Sequence, residues 1–199
     1  MSWIAIDTSI LDETQQTKEF TNIEEPGVYK VNIDKVYVYK NNNGNEFVAL
    51  EGTVGQFPND KQLNLSWFLR KGDGTATYTK DGKVYPYPGV VDFDKLSKCV
   101  LGKRINELIP VEATIERYGE PTKVLLLKDF SGKKVIVGIR IEEYEKSDGS
   151  IGESLKFVDC CKIDDELCIE RLQKRIDKNP RKEVKKKTTQ PSVGNIPQL

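Results

Sequence analysis

The decapeptide KQLNLSWFLR, residues 61–70, limits the folds open to this chain. Leu63, Leu65, Trp67 and Leu69 alternate with Asn64, Ser66, Phe68 and Arg70. Period two is the strand period, so one row fills a core while Phe68 and Arg70 face outward. Related runs recur along the chain, separated by polar or glycine turns. VYKVNIDKVYVY, residues 28–39, is a long β-rich run whose alternation changes phase near Lys35-Val36, which predicts a bulge or strong bend. The turn 41–45 leads to Phe47–Val54, with Val48, Leu50, Gly52 and Val54 on one face. A loop at Pro58-Asn59-Asp60 then joins this strand to 63–70, completing a three-stranded meander.

Helical signals interrupt the strands once. Asp81-Gly82 turns, and Pro86 and Pro88 break regular structure. Asp92 or Asp94 is expected to cap a helix running to about Leu101, with Phe93, Leu96 and Val100 inward. A short helical turn over 103–108 is stopped by Pro110. Strands resume at Val111, Ala113 and Ile115, turn at Gly119-Glu120-Pro121, and continue through Lys123–Phe130. Val135, Val137, Ile139 and Ile141 make a sixth strand, and Leu155–Val158 a last short one. Asp164-Asp165-Glu166 starts a closing helix with Leu167, Ile169, Leu172 and Ile176, ending at Asn179-Pro180. The expected class is mainly β (α+β): an antiparallel barrel like that of the oligonucleotide/oligosaccharide-binding (OB) fold, with one helix between strands 3 and 4 and a C-terminal helix. The organisation reads as an N-terminal arm (1–26) packing on the body, the barrel (27–162), the closing helix (163–180) and a basic, disordered tail (181–199).

At 199 residues the chain suits one domain with extensions. The absence of a membrane-length apolar run or a signal-like N-terminus predicts a cytoplasmic protein without membrane contact. The net charge of zero hides an asymmetry. Residues 171–187 hold nine Lys/Arg against Asp177 and Glu183, a net of +7 that leaves −7 elsewhere. That predicts a basic arm for polyanions or one folding over an acidic body, and any binding surface on the body must be a local groove.

No histidine is present, which removes the usual general base and the usual catalytic triads. Cys99, Cys160, Cys161 and Cys168 match neither a disulfide framework nor a zinc spacing, and are expected as reduced, partly buried thiols. Asp164-Asp165-Glu166 is better explained by the helix dipole than by a metal. Gly72-x-Gly74 is a turn without the context of a dinucleotide site. The reading is therefore non-enzymatic, with neither cofactor nor metal.

What remains is a concentration of rings and cations. Phe68 and Arg70 share the outer face of their strand, and Phe47 has the same parity on the neighbouring one. Tyr78, Lys80, Lys83, Tyr85 and Tyr87 follow within a few residues, and Arg140 interrupts the sixth strand's apolar row on its outer face. Rings stack bases and flexible cations track phosphates, the requirements of a single-stranded nucleic acid. For Phe68, base stacking and packing beneath the N-terminal arm are both open. Trp67 shares its face with three leucines and is expected in the core. Arg117, at the end of the fourth strand, reads as a surface arginine. Lys185-Lys186-Lys187 is either a solvated tail or an arm adding salt-dependent affinity.

The run GVYKVNIDKVYVYKNNNGNEFVALEGTV, then LSWFLRKGDG, then KDGKVYPYPG and the helix, resembles single-stranded-DNA-binding proteins encoded by tailed bacteriophages. The likeness spans roughly residues 26–145 and lies in the order of elements. It implies binding to single-stranded DNA with little sequence preference, in phage DNA replication or transcription within an infected host cell, and a possible homo-oligomer. Many such proteins end in an acidic tail, whereas this chain ends in a basic segment and PSVGNIPQL. The departure keeps a second reading open, an interaction module or cofactor of a viral RNA or DNA polymerase complex.

Overall fold

The structure, a computed structural model, describes residues 21–55, 60–146 and 148–183. Most of the arm, the loop at Pro58-Asn59 and the tail beyond Glu183 lie outside them. The fold is mainly β, and its sheet is organised around one long strand, β2 (Gly27–Lys40). β1 is the short Thr21–Asn22, β3 is Glu46–Val54 and β4 is Lys61–Arg70. The register between β2 and β3 shifts between Ile33 and Lys35, close to the phase change in the sequence. Val31 and Ile33 before the shift, and Val36 after it, all reach the core despite their opposite parity.

The bend lets β2 serve two neighbours on its far edge. Its first half pairs antiparallel with β9 (Lys134–Glu145), from Gly27↔Ile139 to Asn32↔Lys134. Its second half pairs with β8 (Glu120–Leu126) through Tyr37 and Val38. β8 forms a hairpin with β7 (Val111–Arg117), and β9 pairs with β10 (Ile151–Cys161). The hydrogen-bonded path runs from β4 through β3, β2 and β9 to β10 without closing. Helix α1 (Pro88–Leu101) packs against both β4 and β10, where Phe93 and Leu96 meet the sheet's inner face. Trp67 lies in this core, 5.9 Å from Phe93 and 5.5 Å from Phe157 between ring centres.

Several local expectations are corrected. α1 begins at Pro88, one turn before Asp92, because proline's fixed φ suits the first helical position and its missing N–H is not needed there. Asp94 does not cap it: its Oδ1 accepts from the Ile105 amide at 3.1 Å, opening the short turn Ile105–Glu107. β8 starts at Glu120 rather than Lys123, and Pro121 is tolerated opposite Glu116 because that part of β8 pairs only with β7, β2 being joined through Leu125 and Leu126. Phe130 sits on a separate turn, Lys128–Phe130, fully buried. β10 extends well beyond 155–158.

Helix α2 (Glu166–Lys178) is capped by Asp165, whose Oδ1 accepts from Cys168 N at 3.0 Å. Its Leu172 lies against Gly138, where a Cβ would come within 2.6 Å of the leucine side chain. β9 is therefore covered on both faces, with Ile136 beneath α2 and Val135, Val137 and Ile139 in the main core. Cys161 and Cys168 are disulfide-bonded, tying β10 to α2, whereas the sequence reading had all four cysteines reduced. Linear spacing cannot show that the end of β10 turns back along the first turn of α2. Arg181 and Lys182, assigned to the tail, form β11 parallel to Ile141 and Glu142 of β9. Their side chains pair with carboxylates, Arg181 with Glu143 and Glu153 and Lys182 with Glu142. Among the described residues no helix is long and apolar enough to cross a membrane.

Candidate nucleic-acid interface

The outer faces of β2, β3 and β4 are built by register. Tyr39 opposes Phe47 across β2–β3, and Phe47 opposes Phe68 across β3–β4, giving one row of rings over three strands. Tyr39 stacks on Phe47 at 5.5 Å and 18°, and Phe47 meets Phe68 edge-on at 5.4 Å. Cross-strand aromatic pairs of this kind fix the register as well as the surface. The next row inward along the strands is Tyr37, Ala49 and Ser66. Tyr37 and Ala49 are buried with Val124 beneath the β7–β8 hairpin.

A second hairpin extends the row in the other direction. β5 (Thr77–Lys80) and β6 (Lys83–Pro86) pair around Asp81-Gly82, and every residue of both strands is exposed. Tyr87 follows directly and meets Phe68 at 4.7 Å, edge to face. Tyr78 stacks on Tyr87 at 5.8 Å and 24°, and Tyr85 lies 5.8 Å from Tyr78. The five aromatic residues singled out from the sequence, Phe47, Phe68, Tyr78, Tyr85 and Tyr87, thus form one continuous series. Tyr37 and Tyr39 extend it to seven, and sequence reasoning missed them. Their signal was the VYVY tetrapeptide beyond the bulge, whose tyrosines take the parity of Phe47 once the phase shift is placed.

The cations divide into three situations. Lys80 and Lys83 oppose one another at the hairpin tip and make no ion pair among the described residues. Like charges directly opposite each other destabilise a hairpin slightly, so an anionic ligand would relieve them. Arg70 ends β4 with two donors on Glu46, Nε to Oε2 at 2.6 Å and Nη2 to Oε1 at 2.9 Å. The Arg70 hydrogen bonds hold the Glu46 carboxyl below the usual carboxylate range. This arginine is committed within the protein and offers less to a phosphate than its strand position suggested.

Arg140 approaches from the other side of Phe68. A cleft of about 540 Å³ opens where β4 and β10 fail to pair, lined among others by Phe68, Tyr87, Asp92, Arg140, Lys156 and Lys182. Arg140 Nε is buried there without a hydrogen-bond partner among the described residues, and Nη2 lies 3.7 Å from Glu142 Oε1. Burial raises the Asp92 carboxyl above its ordinary value. Phe68 and Tyr87 border both the open outer face and this cleft, so the structure brings Arg140 within the same region as the aromatic series.

Arg117 also belongs to the site. Its guanidinium lies 3.7 Å from the centre of the Tyr39 ring and 5.7 Å from that of Tyr37. Tyr37 donates to Glu51 Oε1 at 2.7 Å, and burial with this hydrogen bond pushes its phenol well up, keeping it a donor. Lys35 Nζ lies 2.9 Å from Glu51 Oε2. Among the described residues no group of three or more His, Cys, Asp or Glu side chains is placed to hold a metal ion. Compared with known proteins, the chain matches no protein-family model and no curated protein sequence.

Proposed function

We propose that this protein binds single-stranded DNA, without catalysis and with little sequence preference, on the outer face of β3 and β4. The observation that carries the reading is the unbroken series Phe47–Phe68–Tyr87–Tyr78–Tyr85, which leads from a sheet face to a hairpin tipped with the facing pair Lys80 and Lys83. Stacking on rings is tolerant of base identity because every base has a π-face, and lysines supply sequence-independent attraction to phosphate.

The order of strands supports an OB-like barrel as the frame. The path β4–β3–β2–β9–β10, with α1 packed against β4 and β10, supports reading the sheet as a five-stranded barrel left open at one seam. In that fold the outer face of the second and third strands, here β3 and β4, is a usual site for oligonucleotides. The likeness to tailed-phage proteins extends the proposal to protecting or presenting unwound DNA during phage replication or transcription.

The test is fluorescence anisotropy of labelled oligo(dT) and of a duplex across a salt series. The full chain is compared with Phe68→Leu, Tyr85→Ala, and a triple Lys185→Gln, Lys186→Gln, Lys187→Gln variant. Preference for the single strand that survives neutralisation of the tail and falls with the ring substitutions supports the site. Equal binding of duplex, or binding lost only with the tail lysines, would place the contact on a basic arm. No binding at all would favour an interaction module of a polymerase complex.

A further inference from the structure

The hairpin opposite β5–β6 carries a residue that its turn does not explain. Arg117 and Glu120 are register partners, so Tyr118 and Gly119 form a two-residue loop, with φ of 54° and 80°. Two positive φ angles define a type I′ turn, whose first place favours Asn, Asp or Gly because a larger side chain is strained there. The β5–β6 hairpin makes its turn with Asp81-Gly82 at 51° and 73°. Tyr118 takes that place with a bulky ring and is 95% exposed, so neither turn geometry nor the core gains from it.

Arg117 links this ring to the aromatic series. Its guanidinium lies 5.2 Å from the Tyr118 ring centre and 3.7 Å from that of Tyr39, and it forms no ion pair among the described residues. Tyr39 in turn stacks on Phe47. Between the hairpin and the outer sheet face lies a groove of about 420 Å³, lined by Tyr39, Ser66, Arg117 and Tyr118 together with Glu51 and Glu116. The nearby Lys35 and the Tyr37 hydroxyl both engage Glu51, so its charge is largely answered within the protein.

We propose that Tyr118 and Arg117 form a second contact region for single-stranded DNA. One base stacks on the exposed Tyr118 ring, the adjoining phosphate meets Arg117, and the strand continues over Tyr39 to Phe47 and Phe68. The inference rests on the DNA-binding function proposed above and extends it across the sheet, so that the two hairpins hold the strand at opposite ends of the aromatic series. Tyrosine is kept at a position that suits asparagine because the ring serves the ligand.

The test uses the full chain and labelled oligo(dT) longer than the roughly 4–16 nucleotides one OB fold occupies. Tyr118→Asn should melt at the same or a higher temperature, since Asn-Gly suits the turn, yet bind roughly 5- to 150-fold more weakly, the fold-change of one lost base stack. Tyr118→Phe, which keeps the ring, should retain affinity, and Arg117→Gln should weaken binding with a shallower salt dependence. Full-strength binding by Tyr118→Asn beside weakened Phe68→Leu overturns this inference and leaves the β3–β4 site standing. Equal loss in Tyr118→Phe and Tyr118→Asn overturns it too, because the ring is then not the contact. Absence of binding by the unsubstituted chain overturns the underlying reading, and this one with it.

Discussion

A Cβ on Gly89 would lie 2.2 Å from the carbonyl oxygen of Phe68, so the first turn of α1 rests backbone against backbone on β4. That contact sets the position of Tyr87, two residues earlier, and holds its ring edge-to-face with Phe68. Gly89→Ala must push the helix away from the strand. Overpacking of this kind destabilises by about 1–3 kcal/mol, and each kcal/mol lowers the melting temperature of a chain this size by about 2–4 °C. Thermal unfolding followed by circular dichroism checks it. An unchanged melting temperature would show that α1 does not bear on β4 here.

Trp67 and Phe68 are adjacent in sequence and opposite in role. Trp67 is 5% exposed and packs on Phe93 and Phe157, so Trp67→Ala is expected to cost about 3–5 kcal/mol of stability. Phe68→Leu keeps an apolar side chain on the half-buried outer face and should fold. Its oligo(dT) affinity should fall by up to about 1–3 kcal/mol, the range for one lost base stack. Chemical denaturation and anisotropy on the same two samples separate these effects; comparable denaturation midpoints would contradict the assignment of faces.

The lysine pair at the β5–β6 tip predicts a charge-specific result. Replacing Lys80 and Lys83 by Gln should leave folding unchanged and make binding less salt-sensitive, by about 0.7 in log–log slope for each lost phosphate contact on a single strand. A salt titration reads this directly. An unaltered slope would exclude both lysines from phosphate contact.

Glu46 gives a pH dependence of definite sign. Arg70 lowers its carboxyl in the folded protein, so the stability it contributes is fully present above the ordinary glutamate range and is lost as pH falls through the lower folded value. With Arg70 half exposed, solvent screening keeps the pair below about 1 kcal/mol. Urea unfolding at neutral pH and near pH 3 should show the unsubstituted chain's advantage over Glu46→Gln shrinking at the lower pH. An advantage that grows instead would reverse the assignment.

The Cys161–Cys168 bond predicts an intact mass two hydrogens below the fully reduced chain, with Cys99 and Cys160 alone open to alkylation before reduction. A loop this short contributes roughly 2–3 kcal/mol by restricting the unfolded chain. Unfolding with and without reductant tests the contribution, and alkylation of all four cysteines without reductant would refute the bond.

Sequence alone determined the central strands β2, β3, β4 and β9, because a period of two leaves an alternating chain one way to bury its apolar row. It placed Trp67 inward and Phe68 outward, located the bend in β2 within two residues, and singled out five rings and two lysines that prove to be neighbours. Phase and parity are local properties, legible from a dozen residues at a time. Only tertiary structure decided what lies across from what. Register set Phe47 against Phe68, α1 came to rest in the gap between β4 and β10, and α2 covered the second face of β9. The β7–β8 hairpin carried Arg117 onto Tyr39. Each is a contact between segments far apart in the chain, fixed by strand pairing and packing together, and no window of sequence contains both partners.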